Sequence, residues 1–479
     1  MLEYKTERYG CELIVVPRFR PSAKTCSASG HVKDEMLLAE RIFRYKVDAP
    51  EIDRDLNTAG NLAALVAGSA PETQNTCGAA GCGPGERPRE TGCGEAGISK
   101  QETGRCSGRE QEVLTRGTVD AMNLTPPGVP PGTSPAEWLR HVVSIHFDPR
   151  HGTPYWLERA RVLGLDPLRD LRDLQDLAIL GHFDVDELRK GRVRDFLPAP
   201  LAAEPARLQV FETGGTTGAP ARLAVRDHWN LMAAWTSWFF DTVAPFPRGL
   251  DWLWIGPTGP HAVGRFATLL AAARGGTCFF IDLDPRYVKT LLAGGDHAAF
   301  RQYVAHVMRQ VTQILDSQEI GVVGTTPALM EQLAPELVRR GCMPQGLMYG
   351  GTHLTPDLMQ LLRTRFFPEA VQSAGYGNTL MGLAPLAPLA PDATEVVYYP
   401  LWPIVQLSVV DPQRTDVVVG YGETGRVQLT VLSEEFFIPR LLERDAAERA
   451  HPLPPLGWDG VANVRPFQGG AESVIEGVY

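Results

Sequence analysis

Short apolar runs alternate with amphipathic segments through the middle of the chain. Four runs have the length and composition of buried strands: WLWIG, GTCFFIDL, IGVVGTT and GLMYGG, at 252–256, 276–283, 320–326 and 346–351. Segments with apolar residues at helical spacing precede, separate and follow them, at 230–240, 265–273, 300–315, 327–341 and 356–366. This alternation is typical of an α/β fold in which helices cover both faces of a sheet.

Regions of different character flank this α/β pattern. SPAEWLRHVVSIHF, from residue 134, predicts a helix with Ser134 as its N-cap, and two further helical stretches lie at 153–165 and 170–191. Beyond residue 394 the chain is rich in apparent strands, which predicts an antiparallel β subdomain. These strands are EVVYYPL, VQLSVVDP, DVVVGYG and RVQLTVL.

The first part of the chain has few large apolar residues. Residues 68–110 are dominated by Gly, Glu, Arg, Thr and Cys, and such a segment cannot bury enough surface to offset its ordering entropy. Residues 36–67 have modest helical patterning. We predict three parts: a poorly ordered leader over 1–134, a folded core over 135–455 and a short hinge-like tail over 456–479.

Composition excludes several classes of protein. A formal net charge of −10 argues against a general nucleic-acid binder. No apolar run approaches the roughly 18–20 residues of a membrane span, and the charged start lacks the apolar core of a signal peptide. A cytoplasmic enzyme is the expectation. Six of the eight cysteines precede residue 107, but their spacing fits no short zinc-binding pattern, so we predict no metal site from protein ligands.

A loop rich in glycine and threonine stands within FETGGTTGAPARLAV, residues 211–225. Glycines let backbone N–H groups converge on an anion, and Thr213, Thr216 and Thr217 add hydroxyl donors. The loop predicts a phosphate site, with a mobile surface turn as the alternative. It lacks the Gly-Lys-Ser/Thr end of a Walker loop and the G-x-G-x-x-G spacing of a dinucleotide fold.

The segments TPYWLERARVLGL (153–165) and DLRDLQDLAILGHFDVDELRKG (170–191) resemble the phenylacetate–CoA ligase branch of the adenylate-forming superfamily, and five motifs, in their order and spacing, resemble the superfamily as a whole. After the Gly/Thr loop come TTPALMEQL (325–333), YGGTHLTPDLMQLL (349–362), GYGNTLMG (375–382) and GYGETGRVQLTVL with IPRLLERD (420–445). The likeness covers about 135–470. It implies an α/β fold like the large N-terminal domain of these enzymes, with mixed sheets, packed helices and a small antiparallel β subdomain, but without the C-terminal lid.

The resemblance also implies an ATP site. It assigns the β- and γ-phosphates to the loop from Thr213 to Gly218, adenine stacking to Tyr376, the α-phosphate to Thr379 and the ribose hydroxyls to Asp445. The implied catalytic residues are Thr213, Thr216, Thr217 and Thr379. Further nucleotide contacts are implied for Gly214, Gly215, Gly218, Gly350, Gly351, Thr352, Gly377 and Asn378. Substrate contacts are implied for His261, Ala374 and Gly375, and His261 serves equally well as a structural residue. Aromatic side chains that could line a pocket are Trp235, Trp238, Phe239 and Trp254.

The chain departs from the family pattern at several points. Ala221 stands where the loop usually has Lys, and Leu380 stands where a Glu usually helps to hold Mg²⁺. ATP and Mg²⁺ remain the expected cofactors, with Mg²⁺ relying on phosphates, water and other side chains. Trp458 replaces the usual hinge Arg, and no lysine follows Lys289. Four alternatives follow: a slow enzyme, a charge supplied by Arg440, Arg444 or Arg465, a lid supplied by a partner, or a reaction that does not need the lid.

The function implied is ATP-dependent adenylation of a small carboxylic acid, an aromatic acid being favoured, to an acyl-AMP with release of pyrophosphate. CoA, a carrier protein or an amine would accept the acyl group, and no nucleic acid or membrane is involved. Two alternatives remain. One is ATP-dependent activation of nitrite for diazotisation of an aryl amine, and the other is a non-catalytic nucleotide-binding protein.

Overall fold

The computed structural model describes residues 127–214, 219–389, 395–454 and 456–467, and the backbone of two short strands in the leader. These are β1 (Ile42–Phe43) and β2 (Ile52–Asp53), which pair antiparallel. The helical expectation for 36–67 is therefore wrong at these four residues. The disorder expected at 68–110 and the clustered cysteines lie outside the described residues. The backbone clusters into two compact units, 1–110 and 111–479.

The second unit contains the helices and the other strands that the structure describes. The α-helices are α1 (Pro135–His146), α2 (Pro154–Leu163), α3 (Pro167–Asp170), α4 (Val185–Lys190), α5 (Ala199–Ala202), α6 (His228–Thr242), α7 (Ala262–Ala273), α8 (Pro285–Ala293), α9 (His297–Leu315), α10 (Pro327–Arg339) and α11 (Pro356–Arg365). Turns of 3₁₀-helix span Leu174–Leu180, Val193–Phe196 and Pro205–Arg207. The strands are β3 (Gln209–Glu212), β4 (Arg222–Val225), β5 (Trp252–Gly256), β6 (Cys278–Asp282), β7 (Val322–Thr325), β8 (Gly346–Tyr349), β9 (Val371–Asn378), β10 (Gly382–Pro385), β11 (Val397–Tyr398), β12 (Val405–Val410), β13 (Thr424–Leu432), β14 (Phe437–Ala450) and β15 (Gly460–Pro466).

A six-stranded sheet of order β10-β9-β8-β7-β5-β6 forms the centre of the α/β region. The strands from β9 to β6 run parallel, and β10 pairs antiparallel at one edge. Every residue of β5, β7 and β8 is buried, as expected for parallel strands covered on both faces. The four strands predicted from the sequence are thus confirmed, together with the α/β class. Because these strands are parallel, their carboxyl ends all lie at the same edge of the sheet, which is where ligands bind in open α/β sheets.

A five-stranded antiparallel sheet of order β11-β15-β14-β13-β12 follows, and it confirms the β-rich region. Two details differ from the sequence-based expectation. DVVVGYG makes only an isolated bridge, between Val410 and Val418. The long strand β14 was not expected, because ERDAAERA has the composition of a helix. Pairing with β13 and β15 on its two sides overrides that local preference.

The described fold extends beyond both predicted boundaries of the core. Strand β15 lies between β11 and β14 with Val461 and Ala462 buried, so the expected hinge-like tail is part of the sheet as far as Pro466. Trp458, beside it, donates its indole N–H to the carbonyl of Pro400 at 3.1 Å. Upstream of α1, Val129 belongs to the hydrophobic core with only 7% exposure. Pairing of β15 with β11 and β14 extends the core at one end, and burial of Val129 extends it at the other.

Helix α1 begins as the sequence predicts. The hydroxyl of Ser134 accepts from the backbone N–H of Glu137 at 3.2 Å, and the Glu137 carboxylate accepts from the Ser134 N–H at 2.8 Å. This reciprocal pair is a capping box, which satisfies two free donors at the helix start. Within the described part of the chain, no helix combines the length and apolar character needed to cross a membrane.

Candidate active site

A cavity of about 190 Å³ opens where the carboxyl ends of the parallel strands meet the β3–β4 hairpin. Strands β3 and β4 pair antiparallel, with Glu212 opposite Arg222. The hairpin loop is closed by Thr213, whose N–H donates to the Ala221 carbonyl and whose hydroxyl accepts from the Ala221 N–H, both at 3.0 Å. The two ends of the Gly/Thr segment are therefore held together, and Thr213 and Gly214 line the cavity.

The structure brings many of the predicted site residues to this cavity. Those that line it are Thr213, Gly214, His261, Gly350, Gly351, Gly375, Gly377, Asn378 and Thr379. Four others lie outside its lining: Ala374, Thr352, Tyr376 and Asp445. The remaining four, Gly215, Thr216, Thr217 and Gly218, lie outside the described residues.

Aromatic side chains form one wall of the cavity. Trp229, Trp254 and Phe266 line it, and the rings of Trp229 and Phe266 meet edge to face with centroids 6.2 Å apart. Of the aromatic residues considered from the sequence, Trp254 alone reaches this wall, because Trp235 and Phe239 are fully buried in the core. Trp229 was not identified as a cavity residue from the sequence. Its position in helix α6, which directly follows the β3–β4 hairpin, could have indicated that it lies near the cavity.

The β9–β10 hairpin supplies the opposite side and is tightly built. Asn378 accepts at its side-chain oxygen from the N–H groups of Leu380 (2.8 Å) and Met381 (3.1 Å), which shapes the three-residue turn. Its amide nitrogen donates to Glu443 at 2.8 Å. A Cβ on Gly377 would lie 1.9 Å from the Gly382 carbonyl oxygen. Asn378 and Gly377 thus fix the shape of the hairpin.

Thr379 joins this hairpin to the Gly/Thr loop. Its hydroxyl donates to the backbone carbonyl of Glu212 at 3.0 Å, so contact with a phosphate requires that proton to turn away. The next residue, Leu380, is 3% exposed and packs in the core, so the position offers no metal ligand. Nowhere in the described ranges do three or more His, Cys, Asp or Glu side chains cluster as a metal site would need.

Tyr376 and Asp445, predicted to hold adenine and ribose, are in contact. The Tyr376 hydroxyl donates to Asp445 Oδ2 at 2.9 Å. Burial raises the pKa of Asp445, opposed by this hydrogen bond and by the charge of Arg444. Burial and the charge of Asp445 raise the pKa of Glu443 to about 7. Asp445 is therefore a half-buried carboxylate, and the neighbouring Glu443 carboxyl group is part-protonated near neutral pH.

His261 occupies the N-cap position of helix α7 and lines the cavity. Burial, reinforced by the positive charge of Arg286, lowers the pKa of its imidazole. The ring is consequently neutral around pH 7, and it can offer one donor and one acceptor to a ligand.

Comparison with known proteins identifies the class. The model of the AMP-binding enzyme family matches residues 184–429, just over half of the chain, and the chain belongs to this family. A different model, the Cas12f1-like TNB domain, matches residues 1–62. A putative RNA-guided DNA endonuclease of Streptomyces pristinaespiralis is 39% identical over 111 residues, which are 23% of this chain and 23% of that protein. The chain thus matches about a quarter of that relative's length.

Solved structures of 2-hydroxyisobutyryl-CoA ligase have a similar fold. One, in complex with 2-HIB-AMP and CoA, gives a TM-score of 0.51 at 17% identity over 68% of this chain and 65% of the ligase. Another, in complex with R3-HIB-AMP, gives 0.52 at 15% identity over 70% of this chain and 67% of the ligase. The fold is therefore that of the N-terminal domain of adenylate-forming enzymes.

Proposed function

We propose that the protein catalyses ATP-dependent adenylation of a small carboxylic acid, releasing pyrophosphate. The observation that supports this most directly is the cavity itself, which has a glycine-bearing hairpin loop on one side and an aromatic wall on the other. Tyr376, on the cavity-lining strand β9, donates a hydrogen bond to Asp445 of β14. The arrangement suits a triphosphate at the loop, a nucleoside beside Tyr376 and an apolar acid against Trp229, Trp254 and Phe266.

In the proposed reaction, a carboxylate oxygen of the acid attacks the α-phosphorus of ATP. The new O–P bond forms as the bond to the bridging oxygen of the β-phosphate breaks, and pyrophosphate leaves with that electron pair. We assign Asp445 to accept hydrogen bonds from the ribose, and we assign Thr379 and the loop from Thr213 to Gly218 to the phosphates. His261, neutral and half-buried, is assigned to orient the acid. Catalysis is then mostly positioning and charge stabilisation.

The residues present constrain how Mg²⁺ can be held. Leu380 offers no ligand, and the Glu212 carboxylate already accepts from Arg222 and Arg286. Mg²⁺, when bound, supplies neutralisation of the triphosphate, and we expect its ligands to be phosphate oxygens and water. The finer assignment to the phenylacetate–CoA ligase branch, with CoA as acceptor, also belongs to this proposal. It rests on the helical segments at 153–165 and 170–191.

Pyrophosphate release with a panel of acids tests the proposal. We expect release that depends on both ATP and the acid, with benzoate- or phenylacetate-like acids turned over faster than aliphatic acids of similar size. Bound ATP without acid-dependent release would contradict adenylation. Formation of a diazo chromophore from nitrite and an aminoaryl acid would instead identify the alternative reaction.

A further inference from the structure

Two arginines converge on the carboxylate that precedes the Gly/Thr loop. Arg222 donates through Nε to Glu212 Oε1 at 2.9 Å, and Arg286 donates through Nη2 to Glu212 Oε2 at 2.7 Å. Arg286 Nη2 also lies 3.3 Å from the carbonyl oxygen of Thr213, the first residue of the loop. Two guanidinium groups sharing one carboxylate leave the cluster with a net positive charge at the loop.

The fold brings Arg286 from a distant part of the sequence to Glu212 and Thr213, two residues that line the cavity. It is the second residue of helix α8, whose N-cap Asp284 accepts from the Arg286 N–H at 2.8 Å. The Leu283 N–H donates to the Gly256 carbonyl at 3.2 Å, which holds the turn before α8 against the end of β5. The charge of Arg286 acts on the pKa of His261, a cavity-lining residue. Arg286 Nε is buried, and no hydrogen-bond acceptor for it is found among the described residues.

A triphosphate in the cavity would need such a charge. Residues 213–221, TGGTTGAPA, contain no charged side chain, so the loop itself can offer only N–H groups and hydroxyls. Arg222 is the more exposed of the two arginines, at 55% against 37% for Arg286. Arg286 also contacts the backbone of the loop's first residue, Thr213.

We propose that Arg286 binds the β- and γ-phosphates of ATP, and that Glu212 positions its guanidinium for this contact. This inference rests on the proposed function, because it takes ATP to be the ligand. The guanidinium supplies parallel N–H donors that match phosphate oxygens. It therefore stabilises the triphosphate and the departing pyrophosphate, and has no contact with AMP.

The test compares ATP with AMP by titration calorimetry on the full chain. Arg286→Gln should raise the Kd for ATP at least about tenfold and the Kd for AMP less than about twofold. Arg222→Gln, which removes the other partner of Glu212, is the matched control and should change both values less than about threefold. General damage to the fold weakens the binding of ATP and AMP alike, whereas loss of a phosphate contact changes the ratio of their two Kd values.

Arg286→Lys is a second variant that tests the same contact if Arg286→Gln folds poorly. It keeps the charge and loses the paired donors, so the ratio should change in the same direction by a smaller factor. An unchanged ratio in the Arg286 variants, with wild-type ATP binding intact, would overturn this inference and leave adenylation standing. Failure of the wild-type protein to bind ATP at all would overturn both.

Discussion

Asp445 already has a hydrogen-bond partner before any nucleotide is considered. Tyr376 uses one of its carboxylate oxygens, and the other oxygen remains to accept from a ribose diol. Because ribose is common to ATP and AMP, we expect Asp445→Asn to weaken both by a similar factor of about ten, the value of a hydrogen bond to a charged acceptor. Calorimetry with the two nucleotides measures this.

Asp411→Asn is a suitable control for that variant. Asp411 is also in the antiparallel β region, but its carboxylate accepts from the backbone of Gln413 and Arg414 in a surface turn. We expect it to leave both affinities unchanged. A loss under about threefold for Asp445→Asn, less than one ordinary hydrogen bond, would show that Asp445 does not hold the ribose.

The buried imidazole of His228 makes the stability of the fold depend on pH. Its ring is buried between Phe436 and Trp229, and neither nitrogen has a hydrogen-bond partner. Burial lowers its pKa from 6.5 to about 3. Below pH 6.5 the imidazole is therefore protonated in the unfolded chain, whereas in the folded chain it stays neutral down to about pH 3. Stability is lost as pH falls through this window, by up to about 1.4 kcal/mol per unit.

We expect His228→Phe to remove this contribution. Between pH 7 and pH 5, the free energy of unfolding of the wild type should fall by about 2 kcal/mol more than that of the variant. Urea unfolding at the two pH values gives the comparison. Equal losses in the two proteins would mean that the imidazole can be protonated in the folded state.

The residues that the sequence predicted near the cavity and those it missed differ in a simple way. Gly214, Gly350, Gly377 and Thr379 stand within contiguous motifs, so local pattern was enough to find them. Arg286 lies 74 positions from Glu212, and only the fold brings them together. A pair of this kind has no local signature in a single sequence.

At the scale of elements, the β9–β10 hairpin depends on the missing side chain of Gly377. A Cβ there would approach the Gly382 carbonyl oxygen to 1.9 Å, and since both are backbone positions of paired strands, the hairpin must open. We expect Gly377→Ala to destabilise the protein by at least about 2 kcal/mol, as overpacking does. Gly350→Ala is the matched control, because a Cβ there meets nothing within 4 Å. Equal midpoints of urea unfolding for the two variants would contradict this account.

Sequence pattern predicted some elements better than others, for physical reasons. Strands β5 to β8 are continuous apolar runs because both faces of the sheet are covered, and such runs are conspicuous. Strand β14 reads as polar and helical over ERDAAERA, yet it lies between β13 and β15. Glu443 and Asp445 on this strand are half-buried, and they accept hydrogen bonds from Asn378 and Tyr376 of β9, the strand that lines the cavity. The least strand-like sequence therefore carries Asp445, which we propose to bind the ribose, and functional sites are where local preference is expected to fail.

At the scale of the whole molecule, the two ends of the chain match different kinds of protein. The Cas12f1-like TNB domain model covers residues 1–62, and the AMP-binding model covers 184–429. The backbone clusters separately over 1–110 and 111–479. The hydrophobic core of the second unit extends from Val129 to Val461. We therefore propose that the adenylate-forming part folds and binds ATP independently of the leader.

A shortened chain that begins at Met122 tests this independence. It keeps Val129 and the whole described core, so we expect it to be soluble, to melt within a few degrees of the full chain and to bind ATP equally well. A second shortened chain, beginning at Pro135, loses Val129 together with the Ser134 cap of α1 and should melt at a lower temperature, since burial of one valine and one helix cap each contribute about 1–2 kcal/mol. Calorimetric melting and ATP titration of the three chains give the comparison. Aggregation or loss of ATP binding in the Met122 chain would show that residues before 122 pack on the core and that the two parts form one folding unit.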